Sequence, residues 1–174
     1  MFRYDVVITQ SYPATQQVQV VSLFKAIFTC ASGRVPNKPP VLNKEKGASL
    51  KDVCRAYRSR FVAVFPEITP SNGNGILYPS PSIQGAPLNA SIFPVSIKVS
   101  PPDITTPTGS SFIFLWRATS FFKHELRVKV AAEPERVDQG VEAITDSLAR
   151  ISRLKRLRLG AVEKEKFLSL WGKK

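Results

Sequence analysis

His124 is the chain's single histidine, and Cys30 and Cys54 are its two cysteines. Covalent or acid–base catalysis needs a nucleophile, a base within reach of it and a group that orients the base. A structural zinc site needs four thiolate or imidazole ligands. One histidine and two cysteines far apart in sequence, with no C-x-x-C, match neither requirement. His124 falls inside an alternating stretch, which makes it a strand residue before it makes it a base. Gly33, Gly47, Gly73 and Gly75 fit neither a P-loop nor a dinucleotide fingerprint. Glu133, Glu135, Asp138, Glu142 and Asp146 offer carboxylate pairs, but placement at the positive end of a helix already accounts for them. The residues therefore point to no catalytic group, cofactor site or metal site, and the expectation is a protein that is not an enzyme.

Anion chemistry is better represented. Arg150, Arg153, Lys155, Arg156 and Arg158 form a dense basic cluster, extended by Lys164, Lys166, Lys173 and Lys174. Such a cluster contacts either a polyphosphate or the acidic face of another protein. The acidic residues from Glu135 to Asp146 precede it on the expected helix and would repel a phosphate backbone laid along it. Acidic faces of neighbouring subunits are therefore the favoured partner, with nucleic acid as the alternative. No RNP-like aromatic motif and no zinc finger accompanies the cluster.

The formal charge of the 174 residues is +12, and it is blocked. Residues 25–60 and 147–174 each carry a strong basic excess, residues 133–146 an acidic one. Residues 61–116 carry only Glu67, Lys98 and Asp103, and from Ile68 to Ile97 there is no charge at all. This centre is rich in Pro, Ser, Asn, Gly and Ile. Its apolar members, among them Ile76, Leu77, Tyr78, Ile83 and Leu88, are too many for a solvated loop. The reading is a Pro-stiffened contact surface over residues 66–107 that lies against neighbouring subunits.

The elements that must position these groups follow from periodicity. Arg3 to Gln10 alternates as a strand. Gln17 to Thr29 fits a strand by its β-branched and aromatic content, and also fits helical spacing through Val20, Phe24, Ile27 and Phe28. Ser32 to Gly47 is a loop by its Gly and Pro content. Ser49 is an N-cap for a helix near 49–60, with Leu50, Val53, Cys54 and Tyr57 as its apolar stripe. Phe61 to Phe65 reads as a short buried strand. Ile92 to Val99 is a strand limited by Pro94. Ser110 to Thr119 and Lys123 to Ala131 are expected to pair as antiparallel strands. Val137, Val141, Ile144, Leu148 and Ile151 recur at helical spacing from Pro134 onwards, so Ile144 and Leu148 are expected at a buried or subunit-facing seam. Glu163 to Trp171 suits a further short helix.

The fold class implied is α+β: an antiparallel β-sheet or small β-sandwich core with one inserted helix and a C-terminal helical region. The organisation implied is a β-rich domain over 1–132 and a helical region over 133–174. No cofactor is implied. No run of about 18 apolar residues spans a membrane. Phe2 to Asp5 interrupt any signal-peptide core, which places the chain inside a cell or a virion. The functional expectation is a structural subunit of a large multi-subunit assembly, such as a virus or phage tail, neck or baseplate component. A basic nucleic-acid-binding protein or ribonucleoprotein subunit is the alternative.

Overall fold

A computed structural model describes residues 5–13, 15–32, 35, 47–69, 71, 73–101 and 111–171. The central sheet has four strands in the order β3-β2-β1-β4. β1 (Val6–Ser11) and β2 (Gln17–Val21) form an antiparallel pair, and β3 (Ala48–Ser49) extends it beyond β2. β4 (Phe61–Val64) lies parallel to β1 on the other edge. Helix α1 (Leu23–Ser32) follows β2, and helix α2 (Leu50–Ala56) follows β3. The ambiguous stretch 17–29 is thus both things in turn: strand while Val18 and Val21 are buried, on opposite faces of the sheet, and helix once Ser22 is passed.

The core sits where α2 and the segment after it cover one face of the sheet. Val7, Val18, Leu50, Val53 and Ala86 are buried together, with Val62, Val64, Tyr57 and Val137 packed against them. The Ser49 side chain accepts the Asp52 N–H at 3.2 Å and so caps α2, as its residue type predicts. Helix α2 is shorter than the expected 49–60: Arg60 N donates to the Tyr57 carbonyl and the chain then enters β4. β4 is half-buried with Phe61 exposed, not a fully buried strand.

The uncharged centre folds back over this core. It contributes β5 (Gly75–Ile76), a 3-10 turn over Pro81–Gly85, β6 (Ser91–Ile92) and β7 (Val95–Ser100). Ser82 Oγ donates to Ser11 Oγ at 3.0 Å and lies 2.7 Å from Ser80 Oγ, all three buried. Tyr12 Oη donates to Gln19 Oε1 at 2.8 Å nearby. A charge buried without a partner costs far more than a hydroxyl that finds another hydroxyl. That cost accounts for the lack of charge at the buried positions of this segment, whereas Tyr78, Leu88, Phe93 and Ile97 are exposed and uncharged.

Three expectations about the second half are corrected. Residues 111–120 form helix α3, not a strand, because Phe112, Leu115, Trp116 and Thr119 fall on one helical face. The partner of β8 (Glu125–Val130) is therefore β7, antiparallel, with Val95 opposite Val130 and Ile97 opposite Val128. This ribbon has no dry face: Leu126, Val128 and Val130 are all exposed. Pro134 opens no helix. Glu135–Arg136 forms β9, paired to β6, and helix α4 runs from Gly140 to Ser152. The chain then reverses at Arg153 (φ 57) into β10 (Lys155–Arg156), parallel to β5, and ends in helix α5 (Ala161–Trp171). With α1, α2 and α3 before residue 132, more than one helix is inserted among the strands. The α+β class holds, with mostly antiparallel pairing. The loop expected over 32–47 lies almost wholly outside the described residues.

Candidate functional site

The concentration of perturbed titratable groups lies at the end of β4. Glu67 stands three residues past the strand, and the backbone beyond it turns sharply. Ile68 N donates to the Phe65 carbonyl at 3.1 Å and Thr69 N to the Glu67 carbonyl at 2.7 Å, with Ile68 at φ 64. A hydrogen bond across two residues around a positive φ is a rare and strained γ-turn. A β-branched residue in that region stores roughly 1–3 kcal/mol, which persists only where the surroundings over-determine it. Such strain clusters at functional positions, and here it fixes the directions of Glu67 and Thr69.

The second half of the site arrives from the C-terminus. The Asn-Gly loop turns at Gly73 (φ 71) and enters β5. Gly75 is needed there for close approach, since a Cβ would stand 2.6 Å from Leu157 Cδ1. Leu157 N donates to the Ile76 carbonyl and Tyr78 N to the Leu159 carbonyl, both at 2.8 Å. This seam delivers Gly160 and the start of α5, where Glu163 Oε2 accepts the Gly160 N–H at 2.8 Å. One residue on, Lys164 Nζ donates to Thr69 Oγ1 at 2.7 Å.

The electrostatics follow from partial burial. Burial pushes the Glu67 carboxyl up to about 7, against the Leu77 N–H that it accepts and the Lys164 ammonium. Burial pulls Lys164 down to about 8, opposed by Cys30 and Glu67. Cys30 is exposed on α1; partial desolvation pushes its thiol up, and Lys164 opposes that shift. A carboxyl that exchanges its proton near neutrality, an ammonium and a hydroxyl within one cluster can hold a ligand that carries both an anionic group and a hydroxyl. No group of three or more metal-ligating side chains occurs among the described residues.

The predicted site residues are distributed differently. Ile76 and Ile83 are buried inside the chain's own fold and Leu77 is half-buried, whereas Tyr78 and Leu88 are exposed. Ile144 is buried on α4 and Leu148 half-buried. The basic residues do not share a helix. Arg150 lies in the last turn of α4 with its guanidinium 3.8 Å from Glu135, Arg153 is the left-handed residue that ends the helix, and Lys155 and Arg156 are in β10. Arg156 forms an ion pair with Asp146, so acidic and basic halves meet within one chain. Arg158 is an exposed residue between β10 and α5. His124 is exposed, meets the Phe121 ring edge-on at 6.5 Å between centroids, and has no carboxylate partner among the described residues.

Sequence reasoning missed Glu67 and Thr69, and placed Lys164 only among the extensions of the basic cluster. One signal was present: Glu67 is the only acidic residue between Asp52 and Asp103, at the end of an apolar strand and just before a turn. Lys164 stood out only as part of that basic cluster, and nothing in the sequence paired it with Glu67.

No family model matches the chain, and no solved structure matches it. Over 116 residues, 65% of this chain, it is 28% identical to a Schizosaccharomyces pombe protein named "Putative lysophosphatidic acid:oleoyl-CoA acyltransferase". The match covers 39% of that protein's length. This likeness overturns the expectation of a non-enzymatic structural subunit of a virus or phage particle, with its nucleic-acid-binding alternative. The buried Ser11–Ser82–Ser80 packing accounts for part of the uncharged stretch, and its remaining apolar residues, Tyr78 and Leu88 among them, are exposed.

Proposed function

We propose that the chain serves acyl transfer from a fatty acyl-CoA to a lysophospholipid, and that Glu67, Thr69 and Lys164 hold the polar end of the acceptor. The likeness to the S. pombe protein carries this reading. The cluster fits it chemically. The Lys164 ammonium beside Thr69 Oγ1 takes a phosphate oxygen, and the Glu67 carboxylate accepts from a glycerol hydroxyl. In the transfer itself the acceptor hydroxyl oxygen bonds to the thioester carbonyl carbon. The carbon–sulfur bond breaks, and the hydroxyl proton leaves with the CoA thiol. The chain's share of this step is binding and orientation, which places the hydroxyl for attack.

The test uses the purified chain with oleoyl-CoA and lysophosphatidic acid. Calorimetry reads acceptor binding, and released thiol with product mass reads transfer. Glu67→Gln and Lys164→Met should each weaken acceptor binding by roughly tenfold or more, the size of a lost hydrogen bond to a charged group. Absence of both binding and thiol release, or variants that bind like the parent chain, would sink the proposal.

A further inference from the structure

Helices α1 and α3 touch each other, and both turn their bulky apolar residues outward. On α1, Phe24 is 84% and Phe28 75% exposed; on α3, Trp116 is 67% exposed, with Phe112 on the same stripe. Phe122, two residues beyond α3, is fully exposed. Residues spaced by three and four lie on one helical face, so the two helices present adjoining stripes. Contiguous apolar surface of this kind is uncommon on a soluble monomer and marks a place where something docks.

We propose that this face docks in the interfacial region of an anionic lipid bilayer. Charge decides between occupants. The charged residues on the described parts of α1, α3 and the connection after α3 are Lys25, Arg117 and Lys123, all cationic. The next acid along the chain, Glu125, pairs with Arg127 at 2.6 Å. Apolar stripes with cations beside them and no acid fit a surface of lipid tails under anionic headgroups. A folded protein partner needs a shaped recess for such aromatics, whereas Phe122 projects clear of its own chain and a fluid bilayer accepts it without one. Helices α1 and α3 have ten residues each, too few to span a bilayer, and the proposed seating is in the plane of the interface. The inference goes beyond the acyl-transfer reading and stands without it, since it rests on the exposed stripes and their charges.

The full chain is mixed with phosphatidylcholine vesicles, with and without phosphatidylserine, and bound protein is separated by flotation. Neither donor nor acceptor is present, so failure of the acyl-transfer reading leaves the result untouched. Binding to the phosphatidylserine vesicles is expected. Trp116→Ser and Phe122→Ser should each lower partitioning by roughly tenfold, and Lys25→Gln, Arg117→Gln and Lys123→Gln by roughly fivefold each. These side chains are exposed, so the variants should melt like the parent. In a Trp171→Phe background, Trp116 emission should shift blue on vesicles and be quenched by brominated acyl chains. Several results would overturn the proposal: no flotation with either vesicle, or equal partitioning of the aromatic variants, which would mean adsorption by charge alone. So would a concentration-dependent dimer abolished by Phe122→Ser, because a second copy would then cover the face.

Discussion

Replacing Glu67 by Gln should change the pH dependence of stability in a defined window. Burial holds the folded carboxyl near 7 against 4.5 for an unperturbed glutamate. Between those two values the unfolded chain has released the proton and the folded chain has kept it. Stability therefore falls as pH rises through this window, by about 1.4 kcal/mol per pH unit, and levels off above 7. Across the whole window the loss amounts to about 3 kcal/mol, an upper figure because Glu67 is partly solvated. Other carboxylates add slopes of their own, so the informative quantity is the difference between parent and variant. Urea unfolding at pH 4, 5, 6, 7 and 8 would supply it. Glu67→Gln keeps an acceptor for the Leu77 N–H but cannot ionise, so the parent should lose stability relative to the variant from pH 5 to 7. Parallel curves over the whole range would show that Glu67 ionises as an ordinary surface carboxylate, and the cluster would lose its physical basis.

Three further outcomes test the scaffold. Ile144→Ala should cost about 2–5 kcal/mol in denaturant unfolding, and Leu148→Ala less, because Ile144 is buried and Leu148 only half so. Ser49→Ala removes the oxygen that accepts the Asp52 N–H and should lower stability by about 1 kcal/mol. Gly75→Ala drives a methyl into Leu157 and should cost about 1–3 kcal/mol. The same change should loosen the seam that seats α5, which hydrogen exchange at the Leu157 and Tyr78 amides would report.

What the sequence disclosed was local. The Ser49 cap, the first strand, the seam of α4 and the helix over 161–171 each follow from a few neighbouring residues. What it hid was which of two periodicities wins. Ser110 to Thr119 alternates well enough for a strand, yet Phe112, Leu115, Trp116 and Thr119 also form one helical stripe, and nothing in the sequence decides between the two. Gln17 to Thr29 divides because Val18 and Val21 have a sheet to face and Phe24 and Phe28 do not. The basic cluster misled in the same way. Its residues are close in sequence, but the left-handed Arg153 turns the chain, and Asp146 takes Arg156 for its own charge.

The candidate site was illegible for a different reason. Glu67 and Lys164 are brought together by two residues of parallel pairing, Gly75–Ile76 with Lys155–Arg156, and by Tyr78 N on the Leu159 carbonyl. No spacing rule links positions so far apart. What can be recognised in retrospect is conflict between levels: a lone acid at the end of an apolar strand, followed by a β-branched residue forced to positive φ. Natural chains break local rules mainly where function requires it. Relaxing that turn would let Glu67 reach water, where it would ionise as an ordinary carboxylate and lose its match to Lys164. The strain at Ile68 and the raised affinity of Glu67 for its proton thus fall on neighbouring positions of the one segment that Lys164 of α5 meets.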